Sequence, residues 1–193
     1  MRARSAVRVA LALTLAVAES AASAQEFRME ELHRLLQASP KGTVRFQEVR
    51  ESPWLASPLE SRGRMTASGS QLEKVVDFPR QETWRILPDR LLLITSGGGV
   101  PKELRFSGAP AAGVLAGALR QAVTGDLPAL ENDFQAVLDG DERKWSLQLT
   151  PRSPETARFL KQLELRGSGS QLRTIILLET RGERTTTTLT QEP

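Results

Sequence analysis

Arg62-Gly63-Arg64-Met65-Thr66-Ala67-Ser68-Gly69-Ser70-Gln71-Leu72-Glu73-Lys74-Val75-Val76-Asp77 reads as a β-hairpin: strands at 62–66 and 72–77 around the turn residues Ser68-Gly69-Ser70. The same reading extends in both directions. Upstream, past Pro40-Lys41-Gly42, Val44, Phe46 and Glu48 alternate with Arg45, Gln47 and Val49, the period-two pattern of a strand. Pro53 to Pro58 then bounds a loop or lateral crossing that holds Trp54 and Leu55. Downstream, strands at 83–87 and 90–95 flank Pro88-Asp89, and a strand at 102–106 follows the Gly97-Gly98-Gly99 turn. After an interruption, strands resume at 134–138, 144–150, 162–166, 172–179 and 185–190, with turns at Asp139-Gly140-Asp141, Gly167-Ser168-Gly169 and Arg181-Gly182. Spacings this short favour an antiparallel meander of about ten strands over parallel βαβ units. Ser68-Gly69-Ser70-Gln71-Leu72 recurs at 168–172, which reads as one turn chemistry used twice, with an internal duplication as the alternative.

Two segments carry the helical period instead. Phe27, Met29, Leu32, Leu35 and Leu36 recur mostly at intervals of three and four, with Arg28, Glu30, Glu31 and Arg34 between them, an amphipathic helix. At 111–123, Val114, Leu115, Ala118, Leu119 and Ala122 form a second stripe that includes Gly113 and Gly117. Each interior glycine costs about 1 kcal/mol relative to alanine, so this helix is expected to be intrinsically weak. Two or three helices in all are expected.

The chain has 193 residues and no cysteine. Arg2, Arg4 and Arg8, an apolar run from Val9 to Ala18, and the small-x-small exit Ala22-Ser23-Ala24 form the pattern of a cleavable export signal over 1–24. The run is too short to span a bilayer, and a lipid-anchored precursor needs a cysteine at the cut. Residues 25–193 suffice for one domain. The leader holds three of the 26 basic and one of the 23 acidic side chains, so the remainder is close to neutral. With no basic block interleaved with aromatic residues, nucleic-acid binding is not expected.

Candidate chemistry is sparse. The only histidine, His33, falls in the polar interval of the first helix and leaves a hydrolytic triad or a zinc site without ligands. Gly97-Gly98-Gly99 lacks the lysine and hydroxyl ending of a phosphate loop. Asp139, Asp141 and Glu142 lack calcium-loop spacing and read as a solvated hairpin tip. Distant carboxylate pairs are compatible with glycoside hydrolysis, but a chain with no tyrosine and three tryptophans offers few sugar platforms. The chain is not expected to be an enzyme, and no cofactor or metal is expected.

The order of these parts resembles the LolA-like family of periplasmic lipoprotein carriers and their relatives. The first helix followed by Val44-Arg45-Phe46-Gln47-Glu48 is similar to that family's opening strand, and Pro58-Leu59-x-Ser61-x-Gly63-Arg64-Met65 to its next one. Leu72-Glu73-Lys74 before Pro79, Glu82-Thr83-x-x-Ile86 before Asp89-Arg90-Leu91, Gly125-Asp126, Phe134, Trp145-x-Leu147-x-Leu149-x-Pro151 and Leu172-x-x-Ile175 through Gly182 follow in family order. Two departures stand out: Gly69-Ser70 occupies the place of an Arg-Pro pair that helps hold the carriers' lid closed, and the carriers' C-terminal extension is not expected after Thr190.

The resemblance implies an α+β fold, an unclosed antiparallel β-barrel covered by helices, with an apolar cavity between them. It implies a periplasmic carrier, acting as a monomer, for an acylated lipoprotein or lipid on its way to the outer membrane. Transient partners would be an inner-membrane donor and an outer-membrane acceptor. The alternative is a lipid-sensing or protein-binding regulatory module of the same fold. Alternation places Phe46, Met65, Leu72, Trp84, Ile86, Leu91, Leu93, Trp145, Leu147 and Leu149 on the inward face, with Leu115 and Leu119 opposite them on the second helix; these twelve are the expected lipid contacts.

Overall fold

A computed structural model describes residues 27–39, 42–97 and 99–191; the export signal expected over 1–24 lies outside them. The elements are α1 (Met29–Gln37), β1 (Thr43–Glu51), β2 (Leu59–Ser68), β3 (Gln71–Phe78), β4 (Glu82–Ile86), β5 (Arg90–Thr95) and β6 (Lys102–Arg105). A 3-10 turn at Phe106–Gly108 leads into α2 (Pro110–Thr124) and α3 (Leu127–Asp133). Then come β7 (Phe134–Asp141), β8 (Lys144–Pro151), α4 (Pro154–Ala157), β9 (Leu160–Ser168), β10 (Gln171–Glu179) and β11 (Arg184–Gln191).

All eleven strands form one antiparallel sheet in the order β6-β5-β4-β3-β2-β1-β11-β10-β9-β8-β7. Each strand neighbours its sequence neighbour except where β1 meets β11, which splits the meander into two arms. The sheet stays unclosed, because β6 and β7 end it without pairing to each other. Between those edges the chain crosses by way of α2 and α3. Eleven strands replace the expected ten or so, and the two extra helices, α3 and α4, are seven and four residues long, too short to show a helical period.

Local chemistry sets the boundaries. Pro110 opens α2, where a missing N–H costs nothing, and Gly125 closes it in the left-handed region at φ 74°. There the Asp126 amide returns to the Gln121 carbonyl at 2.8 Å, a Schellman-type ending. The Asp126 side chain then caps α3 by accepting from the Ala129 amide. The repeated Ser-Gly-Ser-Gln-Leu segments form the β2–β3 and β9–β10 tips, where Gly69 and Gly169 both take φ near 55° (55° and 53°). A shared turn requirement accounts for the repeat.

One face of the sheet packs against the helices. Leu32 and Leu36 of α1, Ala118 and Ala122 of α2, and Leu127 and Leu130 of α3 share a core with residues from all the strands between β4 and β9, counted across the sheet. Two glycines make this packing possible. A Cβ on Gly167 would overlap the Trp145 ring and the Gln171 carbonyl, and one on Gly63 would overlap the Val75 carbonyl oxygen. Gly63 also sits at the irregularity in the β2–β3 register, with the Phe46 ring over it.

Candidate lipid-binding face

The register shows that the ten expected strand residues share one face. Ile86 lies opposite Leu72 and Leu91, and Trp84 opposite Leu93. Phe46 and Met65 lie on the same side of β1 and β2. In the other arm, Leu147 and Leu149 face Leu165 and Leu163, and Trp145 faces Gly167. Phe46, Met65, Leu72, Ile86, Trp145, Leu147 and Leu149 are fully buried. Trp84, Leu91, Leu115 and Leu119 pack half-buried against that core. Leu93 is half-buried near the β6 edge.

The face is occupied rather than hollow in this state. Between α1, α2 and the sheet, Leu36, Val44, Ala67, Ala122, Leu172 and Leu189 border a void of about 50 Å³. Larger hollows flank both ends of α2. One of about 530 Å³ lies between Pro110, Ala111 and Val114 and the Arg152–Phe159 segment; another of about 600 Å³ lies between Arg120 and Thr124 and the β2–β3 tip. Neither is lined by any of the twelve residues. No open cavity lies between α2 and the sheet in this state: Leu115 and Leu119 of α2 pack against the core that the strand residues form. Both tryptophans are tethered: the Trp145 indole N–H donates to the Gly169 carbonyl at 3.0 Å and the Trp84 indole N–H to Glu82 at 2.8 Å.

The seat of α2 is shallow. Its only fully buried residues are Ala118 and Ala122, whose side chains reach barely past the backbone. Arg120 Nε and Gln121 Oε1 are buried without a hydrogen-bond partner. The two glycines differ in kind. Gly113 has a packing reason, because an added Cβ would stand 2.8 Å from the Phe106 Cβ, whereas nothing lies within 4 Å of a Cβ at Gly117.

Alternation also places two charged residues on this face, which the sequence reading did not single out as a site. Lys74 of β3 extends over the Phe46 ring, 4.6 Å from its centroid, and meets Glu48 of β1 at 2.8 Å. It crosses β2 because Gly63 puts no side chain in the way. Glu48 also accepts from Thr187 at 2.9 Å and from Ser61 at 3.2 Å. Burial works against the Glu48 carboxylate, but attraction to Lys74 and the hydrogen bonds from Lys74, Thr187 and Ser61 outweigh it. The carboxyl is held below its ordinary pKa. The signal in the sequence was a charge at an inward position of each strand, Glu48 after Phe46 and Lys74 after Leu72.

Other candidates resolve into structure. His33 faces the Gln37 amide at 3.2 Å, a helix-surface contact. Asp141 accepts from the Arg143 and Lys144 amides at 2.8 and 3.0 Å, a turn at the β7–β8 tip. No metal-ligating cluster occurs among the described residues. Nor is any helix among them long and apolar enough to cross a membrane.

A family model described as "Outer membrane lipoprotein carrier protein LolA-like" matches residues 19–192. The chain belongs to this LolA-like family. Solved structures similar to the LolA-like chain include a LolA superfamily protein from Nitrosomonas europaea at 12% identity and TM-score 0.47, covering 84% of this chain and 89% of that one. A DUF1329 family protein from Desulfovibrio piger is 9% identical with TM-score 0.44, over 84% and 89%. A putative outer membrane lipoprotein-sorting protein domain from Vibrio parahaemolyticus is 8% identical with TM-score 0.43, over 82% and 87%. No curated protein matches the sequence.

Proposed function

We propose that this LolA-like chain is a periplasmic carrier that takes the acyl chains of a lipoprotein or lipid onto the covered face of its sheet and ferries them toward the outer membrane. Family membership supports the class. The structural observation that carries the reading is a broad apolar sheet face covered by a helix seated on two alanines. No chemical step is assigned to any residue; binding and release are the activity.

The energetics suit reversible loading. A sixteen-carbon chain leaving water gains about 13 kcal/mol gross, at about 0.8 kcal/mol per methylene, before ordering costs. Displacing α2 gives up the burial of Ala118 and Ala122 and the partial burial of Val114, Leu115, Leu119 and Val123, which the acyl chain replaces. It also returns Arg120 Nε and Gln121 Oε1 to water, relieving about 1–3 kcal/mol for each unpartnered group. In the loaded state the residues of β2, β3 and β4 beneath α2 exchange contacts with the helix for contacts with the acyl chain, and Leu115 and Leu119 exchange contacts with the sheet for the same chain.

Native mass spectrometry of the protein purified from its own cell envelope tests the reading. Co-purifying acyl species of discrete mass are expected. A stoichiometric protein partner without lipid would instead assign the chain to the regulatory alternative. The lid itself is tested by Gly117→Ala, which adds a methyl into open space and removes the glycine penalty of about 1 kcal/mol. Thermal stability is expected to rise, and affinity for a fluorescent fatty acid to fall by up to about fivefold, the factor that 1 kcal/mol represents. Unchanged affinity in a stabilised variant would mean that α2 does not unfold for loading and, if it opens, lifts as an intact helix.

A further inference from the structure

We propose that Glu48 and Lys74 form the headgroup end of the acyl site, and that Lys74 selects cargo whose head is an anionic oxyacid, a phosphate or a carboxylate. This inference rests on the carrier reading above. The pair lies on the same sheet face as Phe46 and Met65, with the hydroxyls of Ser61 and Thr187 beside it, where that face turns from apolar to polar. Its side chains are 13% exposed at Lys74 and 22% at Glu48, so solvent and ligands still reach them where the apolar face ends.

The hydrogen-bond inventory sets the sign of the ligand. Glu48 is well supplied, accepting from Lys74, Ser61 and Thr187. Lys74 has three N–H donors but makes one hydrogen bond among the described residues, to Glu48. The ammonium nitrogen stands 4.6 Å from the Phe46 ring centroid, a contact that tolerates a cation without satisfying its donors. The spare capacity is positive, so an incoming head completes the site by bringing acceptor oxygens. A donating head finds at most one further lone-pair site on Glu48, on Oε1 beside Ser61, against two spare donors on Lys74.

Stability gives a poor account of the pair. A half-buried ion pair is often no better than apolar side chains of the same volume, because desolvation offsets attraction. The neighbours Phe46, Met65 and Val76 show that the position accommodates such side chains. An anionic head instead adds a charge-assisted hydrogen bond to Lys74 while its chain runs over the adjacent apolar face. The amphiphile is thus fixed in one direction.

The test compares fluorescently labelled phosphatidic acid with diacylglycerol bearing the same labelled chains, in parallel titrations of the full-length protein. The wild-type protein is expected to favour phosphatidic acid by about tenfold, the scale of one charge-assisted hydrogen bond. Lys74→Met should remove that preference, read as the ratio of the two affinities in the same variant. Glu48→Gln keeps the hydrogen-bonding shape, leaves the Lys74 charge uncompensated, and should increase the preference. A purely structural pair would move both variants in one direction and affect both lipids alike. Should either single variant fail to fold, the double variant Glu48→Gln/Lys74→Met removes both charges together and is expected to bind the two lipids equally. Equal binding of both lipids by the wild-type protein, or parallel losses in Lys74→Met, overturns the headgroup assignment but leaves the carrier reading standing. Binding of neither lipid overturns the carrier reading and this inference with it.

Discussion

Leu119→Asp is expected to reduce uptake of a labelled fatty acid by about tenfold or more, with the β-sheet signal in circular dichroism preserved. Leu119 is half-buried on α2 and packs against the core from the lid side. A carboxylate there faces either the sheet or an acyl chain, and both are apolar surroundings in which an unpaired charge is costly. The closed helix escapes that cost by lifting, so the sheet keeps its structure while the loaded state loses a contact and gains an unsolvated charge. Leu147 offers the contrast. It is fully buried in β8 between Leu138 and Leu165, and no helix movement hydrates it, so Leu147→Asp is expected to abolish folding. The pair separates lid from wall by one spectroscopic measurement. Loss of the sheet signal in Leu119→Asp would assign Leu119 to the fixed core and leave α2 without a lid role.

What the sequence disclosed follows the reach of each interaction. Strands were legible because alternation is a local pattern, and the register confirms that Phe46, Met65, Leu72, Trp84 and Ile86 share a face. The second helix was legible from its apolar stripe, which Gly113 and Gly117 interrupt. The difference between those glycines was not, because it depends on Phe106 folding back against one of them. The closed state of the face was also hidden: whether a helix of small residues leaves a void or settles into it depends on sheet curvature, and no short segment encodes that. Glu48 and Lys74 stand 26 positions apart on strands separated by β2. Alternation alone marks each as a charge at an inward position, but only register and the gap above Gly63 bring the two together.

That gap gives Gly63→Ala a large expected effect on the fold. The added methyl would overlap the Val75 carbonyl oxygen and stand 3.0 Å from the Phe46 ring. Backbone cannot yield as a flexible side chain does, so β2 and β3 must separate locally or Phe46 must leave its place. Overpacking combined with a broken sheet contact places the cost at about 3 kcal/mol or more. For a chain of this size that corresponds to a fall in Tm of about 6–12 °C, measurable by differential scanning calorimetry. The effect should reach the polar end of the face as well, because Lys74 arrives at Glu48 by lying over the ring that Gly63 accommodates. Gly63→Ala combined with Phe46→Leu relieves the ring contact but not the Val75 overlap. Most of the Tm loss should therefore persist if the backbone contact dominates, and full recovery in the double variant would assign Gly63 to Phe46 alone.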